Sequence, residues 1–205
     1  MLHLSTIEPE TYSTLKAIFS VEEINKSFAL AGGTSLALQL GHRKSIDLDI
    51  FSPTPFDTEL MEQLFSSQLN FDFKLTNRNR TMLFSYINGV KCDFICEPAK
   101  LIKPFNHIGG INYFDVEDIA AMKMHTICGR GKKKDFFDIY VLTENFGWKN
   151  MLKWFELKYG ASQFYFLWRS ISYFTDADED PDITTIAPYN KSWEEVKEYI
   201  KVKCT

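Results

Sequence analysis

Residues 28–52 read FALAGGTSLALQLGHRKSIDLDIFS, and the order of residue types in this stretch decides the fold. An apolar segment, Phe28 to Ala31, stops at the pair Gly32 and Gly33. A short helix-like stretch follows, Thr34 to Leu40, then a basic turn, His42-Arg43-Lys44. Ile46-Asp47-Leu48-Asp49-Ile50-Phe51 closes the unit, an apolar segment with carboxylates at alternate positions. Successive side chains of a strand point to opposite faces, so Asp47 and Asp49 are expected on one face and Ile46, Leu48 and Ile50 on the other. Side-by-side carboxylates repel unless a cation holds them, and oxygen ligands at this spacing suit Mg²⁺. Glycines at a helix N-terminus can cradle a phosphate with backbone N–H groups. A phosphate cradle, a basic turn and metal carboxylates so close together point to phosphoryl or nucleotidyl transfer.

Composition sets the frame. The chain has 205 residues, 45% of them apolar and 15% aromatic, enough for a real core. A net charge of −4 argues against a broad nucleic-acid-binding surface but permits a local basic patch. Cys92, Cys96, Cys128 and Cys204 form no CxxC pair, and Cys92 and Cys96 fall on one strand face, so reduced thiols in a cytoplasmic protein are expected. The N-terminus has no secretory pattern, and no apolar run approaches the ~20 residues that span a bilayer.

Outward from the opening unit, residues 8–26 have the spacing of an amphipathic helix and 56–68 of a second one. Phe71–Thr76, Met82–Ile87 and Val90–Ile95 read as strands, the last two joined by Asn88-Gly89, a strong type I′ hairpin signal. Asp115, with Asp118 three residues on, resembles a capping arrangement opening a helix over Val116–Cys128. Helices are expected over 135–145, 150–159, 162–174 and 192–203, with an acidic loop at 176–182. The fold class is α+β: a mixed sheet with helices over residues 1–112, then an α-helical region over 113–205.

Further candidates lie downstream. Asp93 sits inside the apolar strand after the hairpin turn, where a carboxylate is costly unless paired or metal-bound; the alternative is a solvent-facing Asp on a half-exposed strand. Lys123 interrupts the apolar stripe of its helix, so it either snorkels out or meets a buried anion, with phosphate favoured as that anion. Asp135 and Asp138, one turn apart after Lys132-Lys133-Lys134, suit helix capping beside a solvated basic run; the same lysines could instead meet a triphosphate or an RNA backbone. His3, His42, His107 and His125 lack zinc-ligand spacing. The aromatic stretch Phe164–Trp168, with Tyr173 and Phe174, reads as helical core, a base-stacking platform being the lesser alternative.

The ordered set now matters: GGTxLAL, then GHRxSxDLDIF, then a strand Asp, a helix Lys and KDxxDIY, over roughly residues 28–146. It resembles the AbiEii/AbiGii-type nucleotidyltransferases, toxins of bacterial abortive-infection and toxin–antitoxin systems in the polymerase-β-like superfamily. The resemblance implies the minimal nucleotidyltransferase fold, a mixed sheet flanked by helices and followed by a helical region. It implies that Asp47, Asp49 and Asp93 hold Mg²⁺, with Asp93 polarising the acceptor hydroxyl. Gly32, Gly33, Thr34, Arg43 and Lys123 would meet the NTP co-substrate. Asp138, or alternatively Asp135, would be the final acidic position. Related toxins modify tRNA acceptor ends, which implies an RNA (tRNA) acceptor, a role in phage defence and a cognate antitoxin. Transfer to a small molecule or a protein, and a non-catalytic nucleotide-binding module, are the rival readings. The superfamily usually has Gly-Ser where this chain has Gly33-Thr34, and residues 147–205 carry no matching motif.

Overall fold

The computed structural model describes residues 2–68 and 71–204. Strands β1 (Ala29–Leu30), β2 (Leu48–Ser52), β3 (Phe73–Arg78), β4 (Met82–Ile87), β5 (Val90–Cys96), β6 (Asn106–Ile108) and β7 (Ile111–Tyr113) form one mixed sheet in the order β3-β4-β5-β2-β1-β7-β6. The central β2–β5 pair is parallel, as is β1–β7, while β1–β2, β3–β4, β4–β5 and β6–β7 are antiparallel. The Asn88-Gly89 turn joins β4 to β5, both residues at positive φ (51° and 77°) as a type I′ turn requires. The sequence reading has no counterpart of β6 and β7. They are three residues each, too short to show an alternation, and the Gly109-Gly110 pair between them is their only punctuation.

The helices are α1 (Pro9–Phe19), α2 (Glu22–Ser27), α3 (Gly32–Leu40), α4 (Thr58–Gln63), α5 (Val116–Gly129), α6 (Lys133–Phe146), α7 (Trp148–Tyr159), α8 (Phe164–Ser170), α9 (Thr175–Asp178) and α10 (Trp193–Lys203). Where one helix is expected over 8–26 there are two. Val21 turns extended at ψ 119°, and Asn25 Nδ2 donates to the Phe19 carbonyl at 2.9 Å, closing the break. Asp57 caps α4 by accepting from the Glu59 and Leu60 amides, and the helix runs on as a π-helical turn over Leu64–Gln68.

The period-2 pattern of the central strands assigns their faces. Leu48 and Ile50 of β2 and Cys92 and Phe94 of β5 are fully buried against Leu15, Ile18, Phe19 and Phe65, on the side covered by α1, α2 and α4. Asp49, Phe51, Asp93 and Ile95 point the other way. Ile46 departs from the expected pattern: β2 begins at Leu48, and Ile46 is 67% exposed. A second apolar cluster joins Ala29, Ala31 and Leu36 to α5, α6, α7, α8 and α10 through Ile119, Phe136, Ile139, Phe155, Leu167 and Ile200.

Two local expectations change. Asp115 does accept from the Glu117 amide at 3.0 Å, but Asp118 does not complete a cap. It is fully buried, accepts from the Ile102 and Lys103 amides and pairs with the equally buried Lys158 at 2.8 Å, tying α5 to α7 and to the segment before β6. In the aromatic stretch, Leu167, Ile171 and Phe174 are the buried residues, whereas Tyr165, Phe166, Trp168 and Tyr173 are exposed. The expected single helix is broken after Ser170, so the aromatic residues do not share one buried stripe. All four cysteines are free thiols, and burial pushes those of Cys128 and Cys204 up to about 11. Among the described residues no helix is long and apolar enough to cross a membrane.

Candidate active site

A cavity of about 740 Å³ lies between the open face of β2, β4 and β5 and the helices α5 and α6. Its floor holds Asp47, Asp49, Lys91 and Asp93, with Phe51, Met82, Phe84 and Ile95 extending it as an apolar wall. Asp49 and Asp93 are register partners on adjacent parallel strands, which sets the two carboxylates side by side; Asp47 stands one residue before β2. At the N-terminus of α3, Gly32 has φ +62°, and a methyl group there would collide with the Asp49 carboxylate. Glycine is therefore required twice at this position, for backbone conformation and for the close approach of Asp49.

The electrostatics of the floor are unbalanced. Burial pushes the Asp49 carboxyl above its ordinary value; Lys123 opposes that shift and the Asp93 charge adds to it. Asp93 is nearly buried and accepts from Lys91 Nζ at 2.7 Å through Oδ2, while its Oδ1 is buried with no hydrogen-bond partner among the described residues. Lys134 Nζ approaches Asp47 Oδ2 at 3.7 Å. The run Lys132–Lys134, which reads as one basic unit in the sequence, is divided by the start of α6. Lys132 and Lys134 line the cavity. Lys133 turns away into the acidic loop, where its amide donates to Asp180 Oδ2 at 2.8 Å and its ammonium to the Asp180 carbonyl at 2.6 Å.

Beneath the cavity lies a buried ion network. Asp138 accepts from Arg43 Nε at 2.7 Å and Nη2 at 2.9 Å and from His42 Nε2 at 2.7 Å, and pairs with Lys123 Nζ at 2.7 Å. Lys123 also donates to Asp135 at 2.8 Å, and Asp135 accepts from the Lys132 amide at 3.3 Å. Burial alone would raise the Asp138 carboxyl, but Arg43 and Lys123 hold it well below the usual carboxylate range. Burial alone would lower Lys123; Asp135 and Asp138 instead raise it, so it stays charged. For His42 burial prevails, and its pKa is lowered despite Asp138.

The structure thus brings Gly32, Gly33, Asp47, Asp49, Asp93, Lys123 and Asp135 to one cavity wall, and leaves Thr34, Arg43 and Asp138 off it. Thr34 Oγ1 bonds Ser45 Oγ at 2.7 Å and the Asp47 carbonyl, pinning the turn before β2. Arg43 spends its fork on Asp138, and its Nη2 lies against the bare face of Gly33, where a methyl group would collide with it. Sequence reasoning passed over Lys91; the signal was its position two residues before Asp93, hence on the same strand face. It weighed His125 only as a zinc ligand and passed over Tyr159; both stand on the cavity wall, with their ring centroids 4.2 Å apart.

Among the described residues no group of three or more His, Cys, Asp or Glu side chains is arranged as a ready metal cage. The outer carboxylates turn to Lys91 and Lys134 instead. The donor set nevertheless fits a hard divalent cation. It is all oxygen, one buried oxygen of Asp93 is unpartnered among the described residues, and burial raises the Asp49 carboxyl although Lys123 opposes it.

A mixed sheet with carboxylates on adjacent parallel strands, a Gly-Gly helix start beside them and lysines facing them define the protein as a nucleotidyltransferase. Residues 13–198 match the family described as nucleotidyl transferase AbiEii toxin, type IV toxin–antitoxin system, and the chain belongs to that family. It is 34% identical over 208 residues to the uncharacterized protein aq_aa25 of Aquifex aeolicus (strain VF5), covering 96% of this chain and 95% of that one. The crystal structure of JHP933 from Helicobacter pylori has the same fold, with a TM-score of 0.56 at 17% identity over 96% of this chain and 91% of that one. So does MenT4, a nucleotidyltransferase toxin from Mycobacterium tuberculosis H37Rv, with a TM-score of 0.54 at 14% identity over 94% of this chain and 84% of that one.

Proposed function

We propose that this nucleotidyltransferase is Mg²⁺-dependent and transfers a nucleoside monophosphate from an NTP to RNA, with tRNA as the acceptor class. As the toxin of a phage-defence pair it acts in the cytoplasm and is restrained by a cognate antitoxin. One observation carries the reading: a single cavity joins Asp47, Asp49 and Asp93 on its floor to Arg130, Lys132 and Lys134 at its α5–α6 end, so a triphosphate and a polyanionic acceptor can meet in it.

In this reading Asp47, Asp49 and Asp93 hold the cation, which supplies polarisation of the attacking oxygen and neutralisation of the leaving group. The acceptor hydroxyl oxygen bonds to the α-phosphorus, the bond from that phosphorus to the bridging oxygen breaks, and pyrophosphate departs. The hydroxyl proton passes to the Asp93 carboxylate. Gly32 and Gly33 present the N-terminus of α3 to the phosphates. Lys123, with Asp135 and Asp138 on two of its N–H groups, keeps its third for the triphosphate. Asp138 and Arg43 act as positioning residues behind it, and Asp135 is the acidic residue of α6 that reaches the cavity.

The test is transfer of label from α-radiolabelled NTPs, with and without Mg²⁺, to total RNA, to protein and to small-molecule fractions. Metal-dependent label in RNA, concentrated in the tRNA fraction, is expected. Label in protein or small molecules would overturn the acceptor, and transfer insensitive to chelation would overturn the metal.

A further inference from the structure

We propose that Lys91 is a built-in competitor for the metal site, a side chain that occupies Asp93 until the nucleotide arrives and then moves to its phosphates. The inference rests on the metal reading above and deepens it. Its geometric ground is the strand register. Lys91 lies two residues before Asp93 on β5, on the same face, and its ammonium bonds Asp93 Oδ2 at 2.7 Å. The pair is asymmetric: the Asp93 side chain is 10% exposed, that of Lys91 is 42% exposed. The carboxylate is fixed in the cavity floor, while the ammonium sits on a flexible stem with solvent beside it. Lys91 also lines the cavity, so its alternative positions lie over the space a triphosphate would fill.

The chemistry follows from charge. An ammonium at hydrogen-bond distance from Oδ2 and a divalent cation on the same carboxylate compete for one negative charge. A cation that takes Oδ2 must displace Lys91, and one held through the unpartnered Oδ1 alone is opposed by the ammonium charge beside it. Without nucleotide, the displaced ammonium gains only water. With nucleotide, it gains a polyanion in the same cavity, a favourable exchange. Lys91 thus makes metal binding and nucleotide binding mutually dependent: each ligand relieves a cost the other would otherwise meet, and by linkage the coupling is reciprocal. A cavity that takes up metal only together with nucleotide is guarded against futile occupancy by metal alone. Lys132 lines the same cavity, meets the Asp135 carboxylate through its backbone amide, which a side-chain change retains, and serves as the control for a general loss of positive charge.

The experiment measures Mn²⁺ binding to the full chain by water-proton relaxation enhancement, with and without a non-hydrolysable NTP analogue, for wild type, Lys91→Met, Lys132→Met and Asp49→Asn. A neighbouring opposite charge shifts a carboxylate's proton equilibrium by about one to three powers of ten, and competition for the same oxygen is of that order. Lys91→Met is expected to bind Mn²⁺ alone at least about tenfold more tightly than wild type. The enhancement of Mn²⁺ affinity by the analogue should be correspondingly smaller in Lys91→Met, while Lys132→Met should leave Mn²⁺ affinity within about twofold of wild type. Asp49→Asn should lose the site, which identifies the binding as that of the floor. If Mn²⁺ binds in wild type and is lost in Asp49→Asn, but Lys91→Met leaves affinity and enhancement unchanged, the competitor role is overturned and the metal reading stands. An equal gain in Lys132→Met also overturns it, since the effect is then general electrostatics. If wild type binds no Mn²⁺ even with the analogue, the metal reading itself is overturned and the competitor role with it.

Discussion

Replacing Asp138 by Asn should unfold this protein more readily than any single change on the cavity floor. Both carboxylate oxygens are committed: Oδ1 to His42 Nε2 and Arg43 Nε, each at 2.7 Å, and Oδ2 to Arg43 Nη2 at 2.9 Å and Lys123 Nζ at 2.7 Å. In the native network two cations, Arg43 and Lys123, face two anions, Asp135 and Asp138, and all four side chains are less than a tenth exposed. Asparagine removes one anion, leaves a buried positive charge uncompensated and aims an N–H donor at groups that are donors themselves. Breaking a buried ion pair in this way costs about 3–5 kcal/mol. For a chain of this length each kcal/mol moves Tm by about 2–4 °C, so a fall of about 6–20 °C is expected. Urea denaturation at neutral pH gives the free energy directly, provided the slope with denaturant is unchanged.

The same reasoning fixes a rescue. Arg43→Leu in the Asp138→Asn background removes the stranded cation, and substituting both partners of a buried pair is often close to neutral. The double variant should therefore be more stable than Asp138→Asn alone, with a coupling energy of about 2 kcal/mol or more in the double-mutant cycle, within the range for residues in contact. A cost for Asp138→Asn below about 1 kcal/mol, the range of an exposed pair, would refute the account of the network. Additive single effects would refute it as well.

The lowered pKa of His42 makes stability fall in mild acid. Below the unfolded-state value of about 6.5 the unfolded chain binds a proton that the native chain resists, so Tm should decline as pH drops from 6.5 toward the folded value, and His42→Gln should flatten that decline. The depressed Asp138 carboxyl adds a second loss whose onset lies near pH 4, so the fall of Tm should steepen there. For the acceptor, Arg130→Ala, Lys132→Ala and Lys134→Ala combined should weaken RNA binding and reduce its log–log salt slope by about 2, at about 0.7 per single-strand phosphate contact. Filter binding between low and moderate salt reads this, and an unchanged slope would move the acceptor surface elsewhere; Lys133 is left intact because Asp180 and Asp182 hold it at the start of α6.

The unit at residues 28–52 was legible because its signals are local. A Gly pair before a helical stretch, a basic turn and alternating carboxylates each need only a few residues of context, and strand–helix–strand followed from them. The hairpin at Asn88-Gly89 was legible for the same reason, since Asn-Gly is among the few dipeptides that suit two successive positive φ angles. What stayed hidden is non-local. Lys123 announced a buried anion by breaking an apolar stripe, but that the anion is Asp135 and Asp138 depends on how α5 packs on α6, which no window of either helix contains. Asp118 looked like a cap because its partner Lys158 is 40 residues away. Arg43 read as a nucleotide ligand from its place in the basic turn and from the family resemblance; here the bare face of Gly33 admits its guanidinium to the interior.

The division of charge between the two layers explains why so many ionisable groups sit in one small region. The lower layer is neutral by itself, Arg43 and Lys123 against Asp135 and Asp138, so it can be buried and can fix the basic turn, α5 and α6 relative to one another. The upper layer is not neutral: Asp47, Asp49 and Asp93 face Lys91 and Lys134, which leaves one negative charge over, and burial raises the carboxyl of Asp49, the one not assigned a lysine. A floor with one unmatched negative charge beside the N-terminus of α3 is poised for a cation and a phosphate together, since the cation offsets charge carried by both the floor and the phosphate. The rigid layer beneath lets the upper layer remain unsatisfied without the fold relaxing to satisfy it, and that separation of a structural network from a reactive one is what places a charge-balanced core directly under the cavity floor.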